Sequence, residues 1–396
     1  MDTGDRFSAD GPGHRVDRSP RGQRVAKRLG FAQVKSKQIA QRISTVDSAA
    51  RIGDLIRGEV DMNLASGLPI IDFAGVRRHD RAAMHKAARE IYDACTTLGF
   101  FYVVNHGVRA GVIERAAAAA RQFFAFPLET KQQVAANANH RGFHARGDAL
   151  MYGAKRPDEK EFYSIGLELS EDDPSVLAGE PLRGPNNWPG FMAELRPALY
   201  AYFDEVGSCG ADLLRVVALG LGLDETFFAD KYTKPLQRTQ IIYYPPQPPD
   251  VEPDRFGVAP HSDYGCITLL WQDNNGGLQV RSLESRSWID ARPIEGSFVV
   301  NVGDLLARWT NDRFSSTAHR VVNLSGRERY SIATFYDPNF SATVDPRELG
   351  GTASEWRYEP VRAGDYILGR FDQSFGYRKK LAKSAPSLEA PPAGAL

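Results

Sequence analysis

The hydrophobic rhythm of the chain changes near residue 237. Before that point apolar residues recur at helical spacing, and after it they gather in short runs divided by turn residues. Met84, Ala88, Ile91, Tyr92, Cys95 and Leu98 share one helical face, which predicts a helix from Asp80 to Leu98 with Gly99 placed to stop it. A short apolar strand, Leu68-Pro-Ile-Ile-Asp-Phe73, precedes this helix. The run Phe100-Phe-Tyr-Val-Val104 follows as a buried strand closed by the turn Asn105-His-Gly107. A second helix is predicted from Arg109 to Phe126, ending at Pro127. The next stretch is rich in Gly, Pro and Asn and reads as irregular. A long helical region then covers Phe191 to Leu223, where Gly207 and Gly210 mark a kink or a close packing.

From Gln237 onward the strand readings are Thr239–Tyr244, Cys266–Trp271, Gly277–Val280, Ser297–Val302, Thr317–Asn323 and Arg329–Tyr336. Turn residues such as Asp273-Asn-Asn-Gly-Gly277 and Ser325-Gly326 bound them. Short strands at this spacing predict an antiparallel sandwich or jelly roll, so the fold class is mainly β with flanking helices. The expected organisation is a poorly ordered extension over 1–67, a single domain over 68–380 and a flexible tail over 381–396. Within that domain, 68–236 is mostly helical, 237–345 is the β core that carries the site, and 346–380 adds a C-terminal strand and helix.

Composition narrows the function. Lys+Arg and Asp+Glu balance at 49 each, which argues against nucleic acid or an anionic membrane surface as the main partner. No apolar run approaches the roughly 20 residues that span a bilayer. Cys95, Cys209 and Cys266 are few, scattered and odd in number, which suits a reducing compartment. A cytoplasmic enzyme with a small-molecule substrate is expected, its oligomeric state left open and a monomer allowed.

The sharpest chemical signal is His261-Ser-Asp263. If the triplet lies in a strand, residues i and i+2 project from one face, an imidazole beside a carboxylate. Strand parity turns Cys266 away from both. His319, in a later predicted strand, can add a third ligand. Two imidazoles and one carboxylate form the ligand set of non-haem Fe(II) oxygenases and leave positions free for a bidentate co-substrate and O2. Arg329-Tyr-Ser331 follows His319 by ten residues. Arg329, Ser331, Ala333 and Phe335 share a strand face, so a guanidinium and a hydroxyl there make a seat for a carboxylate. The alternative partner for Arg329 is an Asp or Glu at the barrel rim.

These motifs, with Pro69-Ile-Ile-Asp72, Gly99-Phe-Phe-Tyr-Val-Val-Asn-His-Gly107, Phe123-Phe-Ala-Phe-Pro-Leu-Glu129, Gly184-Pro-Asn-Asn-Trp-Pro189 and Tyr243-Tyr-Pro-Pro246, give the chain a recognisable pattern. Pro260-His-Ser-Asp-Tyr-Gly265, Gly277-Leu-Gln-Val280, Asn301-Val-Gly-Asp304 and Thr317-Ala-His-Arg-Val-Val322 extend it. From Leu68 to Tyr377 the sequence resembles the iron/2-oxoglutarate-dependent dioxygenases of the isopenicillin N synthase-like family. The resemblance implies a double-stranded β-helix (jelly roll) core, iron at His261, Asp263 and His319, and the distal carboxylate of 2-oxoglutarate at Arg329 and Ser331, with Tyr244 reaching it. Ile242 replaces an asparagine that touches the co-substrate in some plant members. Phe335 matches an aromatic position that stacks on substrate in some members, with core packing as its alternative.

His106 reads as structural. His140 and His144 lie in the irregular stretch that approaches substrate in such enzymes, and Tyr152, Lys155 and Arg156 are placed there to favour a polar or anionic molecule. The expected reaction oxidises an unactivated C–H bond with Fe(II), 2-oxoglutarate and O2, giving succinate and CO2. Hydroxylation is the default, with desaturation or cyclisation as variants. The rival readings are an oxidase of the same fold that does not use 2-oxoglutarate, a zinc hydrolase, and a non-catalytic binding protein.

Overall fold

The computed structural model describes residues 67–151, 154–248, 254–323, 325–350, 356–376 and 378. The chain divides into Met1–Met62 and Asn63–Leu396, and every described residue belongs to the second unit. The expectations for the N-terminal extension, for the tail and for Tyr152 fall outside the described residues.

The elements follow one another as β1 (Ile70–Asp72), α1 (Arg81–Thr97), β2 (Phe100–Val104), α2 (Ala110–Phe124), β3 (Gly142–His144), β4 (Glu161–Gly166), α3 (Leu195–Gly220) and β5 (Arg238–Tyr244). They continue with β6 (Val258–His261), β7 (Ile267–Gln272), β8 (Leu278–Arg281), β9 (Trp288–Asp290), β10 (Ser297–Val302), α4 (Asp304–Trp309), β11 (His319–Val321), β12 (Arg329–Tyr336) and α5 (Ala363–Ser374). Among the described residues the strands form an eight-stranded sheet, β1-β2-β10-β7-β12-β5-β4-β3, and a four-stranded sheet, β6-β11-β8-β9, beside a short ribbon. This is mainly β structure with flanking helices, and the core is a jelly roll. No helix among the described residues is long and apolar enough to cross a membrane.

Local chemistry sets the element ends. Asp80 caps α1 by accepting from the amides of Ala82 and Ala83. At the other end Gly99 takes a φ of +74°, and a side chain there would run into the Ser315 carbonyl. Gly207 and Gly210 let α3 lie close to the large sheet, where added Cβ atoms would meet the side chains of Gln237 and Tyr336. Those glycines are packing points, because α3 runs unbroken through both.

The stretch read as irregular holds two strands, β3 and β4, that extend the large sheet beyond β5. The alternation test misses them for physical reasons. All but the first residue of β4 is buried, so its two faces carry no polar–apolar contrast, and β3 is three residues long. The short strands β6 and β9 escape detection in the same way.

Strand pairing sorts the large sheet into two faces, since directly opposed residues point the same way. One face carries Tyr163, Ile241, Tyr243, Tyr330, Ile332, Thr334 and Tyr336 and is covered by helices. Phe123 and Phe124 of α2 pack on Tyr163 and Tyr243, with ring centroids 4.9 and 5.6 Å apart. The other face carries Phe100, Asn301, Thr268, Gln272, Arg329, Ser331, Ala333, Phe335, Arg238, Gln240, Ile242, Tyr244, Phe162 and Ser164. Every sequence-flagged chemical residue of the sheet is on this second face.

Candidate metal centre and the face around it

His261 closes β6, His319 opens β11, and the two are direct cross-strand partners whose rings lie 4.2 Å apart. Each Nδ1 turns back to its own chain, 2.9 Å from the Ala259 carbonyl for His261 and 3.2 Å from the Thr317 carbonyl for His319. A carbonyl only accepts, so each Nδ1 carries the hydrogen and each Nε2 presents a lone pair. Both Nε2 atoms stand 3.7 Å from Asp263 Oδ1. The second carboxylate oxygen, Oδ2, accepts from Thr268 Oγ1 at 2.6 Å and Asn301 Nδ2 at 2.7 Å. One oxygen is thus anchored and the other faces the imidazoles. The three donor atoms lie within 4.8 Å of one another, a group able to hold a metal ion. The donor set of nitrogen and oxygen without thiolate fits Fe(II).

The strand argument for Asp263 is corrected by the structure. β6 ends at His261, and Asp263 stands in the turn toward β7. Its position comes from Thr268, from Asn301 and from the Asp304 amide, which donates to the Asp263 carbonyl at 2.7 Å. The turn also rests directly on Gly303, where a Cβ would lie 2.3 Å from the Gly265 carbonyl. Cys266 does face away, as expected. Its thiol is buried against Tyr232, and its amide donates to Asp337 Oδ1 at 2.8 Å.

Burial, and then the neighbouring His319, hold His261 down to about 3, so it stays neutral. Burial pushes Asp263 up, but the two histidines and the bonds from Asn301 and Thr268 outweigh it, and the carboxyl ends below its ordinary value. His261 and Asp263 are therefore already in the protonation states that a cation needs. Asn301→Ala and Thr268→Val each release the carboxylate from one anchor. Each is expected to weaken Fe(II) affinity by about 10–100-fold, measured by anaerobic equilibrium binding. Wild-type affinity in both variants would show that the anchors do not matter.

Arg329 is 1 % exposed. Its Nε donates to the Gly276 carbonyl at 2.6 Å, Nη2 to Gln272 Oε1 at 3.1 Å and Nη1 to Ser331 Oγ at 3.4 Å. None of these partners is a carboxylate, so the rim pairing considered from sequence is not formed among the described residues. Tyr244, directly across from Arg329, lies against the guanidinium with its ring centroid 4.6 Å from Cζ. A buried cation without an anionic partner is costly, and the arrangement suits an incoming carboxylate. Ile242 sits opposite Ser331 and offers no polar group.

Phe335 is half-buried on the same face and packs against Arg238, whose Cζ is 4.7 Å from the ring centroid. His106 is buried on Phe298, and its Nδ1 accepts from the Val108 amide at 3.1 Å, which makes it structural. His140 and His144 are not solvated. His144 stacks on Phe162 at 4.1 Å, and His140 stacks on Phe371 of α5 at 4.4 Å. Lys155 and Arg156 are exposed, and Arg156 lies 3.7 Å from Asp254. The buried cations of that stretch are instead Arg141 and Lys160, the latter paired with Asp158 at 3.3 Å.

Burial, and then Lys160, hold His144 down to about 3, and burial with His144 and Arg238 keeps His140 well below its usual value. The unfolded chain protonates both imidazoles near pH 6.5, whereas the folded one does not until far lower pH. Stability is thus complete above pH 6.5 and is lost as pH falls toward about 3, by up to roughly 1.4 kcal/mol per pH unit per histidine. In urea unfolding between about pH 6.5 and about pH 5, His144→Phe, which preserves the stack, should remove about one proton from that dependence. An unchanged slope would contradict the assignment.

Sequence reasoning missed Thr268, Asn301, Lys160, Arg238, Asp337 and Phe371. A signal existed for Asn301, an amide in the otherwise apolar strand Ser-Phe-Val-Val-Asn-Val. The others depend on strand pairing and on where α5 lands.

Two family models match the chain. One, described as the N-terminal part of non-haem dioxygenase in morphine synthesis, covers residues 68–190, and the other, the 2OG-Fe(II) oxygenase superfamily, covers residues 235–338. Among curated proteins, the 2-oxoglutarate-Fe(II) type oxidoreductase hxnY of Emericella nidulans is 36% identical over 342 residues, covering 83% of this chain and 98% of its own. Among solved structures, a full-length Neurospora crassa protein in complex with α-KG and thymine superposes with a TM-score of 0.68 at 32% identity, covering 77% of this chain and 96% of that one. JOX2 in complex with 2OG, Fe and JA superposes with a TM-score of 0.64 at 31% identity, covering 77% of this chain and 84% of that one.

Proposed function

Because this chain belongs to the 2OG-Fe(II) oxygenase superfamily and is a 2-oxoglutarate-dependent non-haem iron dioxygenase, we propose that it oxidises an unactivated C–H bond of a small polar molecule at a metal centre made by His261, Asp263 and His319. Hydroxylation is the default outcome, with desaturation or ring closure as variants of it. The observation that carries the reading is the placement of Arg329 and Ser331, a buried guanidinium and hydroxyl with no acidic partner among the described residues, on the sheet face that also anchors Asp263. Solved relatives that hold α-KG or 2OG favour 2-oxoglutarate use over the oxidase reading.

In this reading His261, Asp263 and His319 hold iron through Nε2, Oδ1 and Nε2. Bound there, iron(II) supplies the activation of O2 that is coupled to decarboxylation of 2-oxoglutarate to succinate and CO2. Arg329 and Ser331 orient the co-substrate by its distal carboxylate, and Tyr244 keeps the guanidinium in place from below. The backbone carbonyls of Ala259 and Thr317 fix both imidazole tautomers. Phe162, Phe335 and Phe371 surround the remaining space with apolar walls that exclude water and hold substrate.

The test is an anaerobic optical titration of the apo-protein with Fe(II) and then 2-oxoglutarate, followed by succinate measurement after air is admitted. A visible charge-transfer band and succinate formation are expected. Iron binding without a band would remove the co-substrate assignment, and no iron binding would remove the proposal.

A further inference from the structure

One buried cation on the metal-facing side of the sheet is not used by the metal or by the co-substrate seat. Arg238 on β5 is 5 % exposed, and its guanidinium carbon lies 4.7 Å from the ring centroids of both Phe335 and Phe371. Its Nη2 donates to Asp337 Oδ2 at 3.0 Å, while its buried Nε has no acceptor among the described residues. The N–H bonds of a guanidinium lie in its plane, so an acceptor for the free Nε hydrogen must approach in that plane. A buried N–H of this kind is rare in a finished structure and marks a place where a ligand atom belongs.

The surroundings agree. Asp337 ties Arg238 to the ligand turn by accepting from the Cys266 amide. Phe371 also packs edge-on to Tyr264, the residue after Asp263, with centroids 6.2 Å apart. Two positions along β5 from Arg238, Gln240 lies between two small residues of the metal-facing side, Ser164 and Ala333. The Ser164 hydroxyl is fully buried and has no hydrogen-bond partner among the described residues. A flat, half-buried phenyl ring and a set of polar groups therefore line the same wall.

Charge decides what kind of molecule fits. Arg238 is paired with Asp337 and Lys160 with Asp158, and Arg141, whose guanidinium rests on Gly166 beside Arg238, meets Glu168 through the Asn186 side chain they share, so each of these buried cations already has an acidic counterpart. A carboxylate substrate would add an unmatched buried charge, whereas a carbonyl oxygen needs only the free donor. We propose that Arg238 determines substrate specificity by donating in its plane to a ring carbonyl of an uncharged planar heterocycle seated against Phe335, with Gln240 and Ser164 meeting its other polar atoms. This rests on the oxygenase reading of the site, and the experiment separates the two.

The holoenzyme, with Fe(II) and 2-oxoglutarate under argon, is titrated with thymine, uracil and 2-pyridone as uncharged lactams, and with benzoate and indole-3-acetate as planar carboxylates. The lactams are expected to shift the charge-transfer band and, after air is admitted, to raise succinate formation about tenfold or more, and the carboxylates are not. Arg238→Met with Asp337→Asn removes the donor without leaving a lone charge, and should weaken lactam binding at least about tenfold while the band from 2-oxoglutarate persists. If that double variant loses the band, Arg238→Lys, which keeps Asp337 paired, takes its place and should raise lactam Kd by a similar factor. Stronger responses to the carboxylates, no response to any lactam, or wild-type lactam affinity in the variants would each overturn the inference. Absence of the band in the wild-type protein would instead overturn the underlying functional reading, and this inference with it.

Discussion

Asp263→Ala and Asp263→Asn are both expected to abolish iron-dependent turnover, by at least about 1,000-fold, or roughly 4 kcal/mol on the transition-state scale. The reasoning starts from the two oxygens of the carboxylate. Oδ1 faces both Nε2 atoms, and Oδ2 is held by Thr268 and Asn301. Alanine removes the ligand and also strands two buried donors, at about 1–3 kcal/mol each, so its loss of activity could be mistaken for loss of fold. Asparagine can still accept from Thr268 and Asn301 through its carbonyl oxygen, but it brings no negative charge to the cation. An enzyme that is folded by circular dichroism, silent in succinate release and weak in Fe(II) binding is the expected D263N phenotype. Iron-dependent succinate formation at wild-type rate in D263N would remove Asp263 from the metal centre.

The second large effect belongs to Arg329. Its guanidinium is enclosed by Gly276, Gln272, Ser331 and Tyr244, which leaves no room for it to leave the site when the co-substrate departs. Arg329→Ala deletes a charge-assisted bidentate contact, at about 3 kcal/mol, so the apparent Kd for 2-oxoglutarate should rise about 100-fold. Arg329→Lys keeps the charge but not the fork, and should fall between the two. Fe(II) affinity without 2-oxoglutarate should hardly change, because Arg329 touches none of the three metal-binding candidates. If R329A bound 2-oxoglutarate as the wild type does, the seat would lie elsewhere.

The legibility of this molecule from its sequence is uneven, and the reason is physical. β2, β10 and β12 are readable to the residue because each is a run with strong strand preference and clear turn borders. β4 is not, because burial on both faces erases alternation. The structure brings the three triad residues together, yet strand parity is the wrong argument for Asp263, since its geometry is set by Thr268, Asn301 and the start of α4. Arg329 and Ser331 share a face as expected because both lie on one uninterrupted strand. Arg238 cannot be found in this way. Nothing nearby in sequence separates it from other arginines, and its meaning comes from Phe335 across the ladder and Phe371 from a distant helix.

One strand, β12, sets a spatial scale for the whole reaction. Arg329, Ser331, Ala333 and Phe335 step along it at about 6.6 Å per pair of residues, so roughly 20 Å separates the first from the last. In the proposed reading, the far end of the co-substrate and the aromatic wall beside the substrate would thus be tied to one rigid ruler. A one-residue slip in the register of this strand would turn every one of those side chains toward the helices. On this reading the chain would change what it oxidises from β5 and from the margins, β3, β4 and α5, while the ruler stays as it is. New substrates should therefore be sought by varying positions such as His144, Ser164 and Phe371, and a library built on β12 should yield mostly inactive proteins.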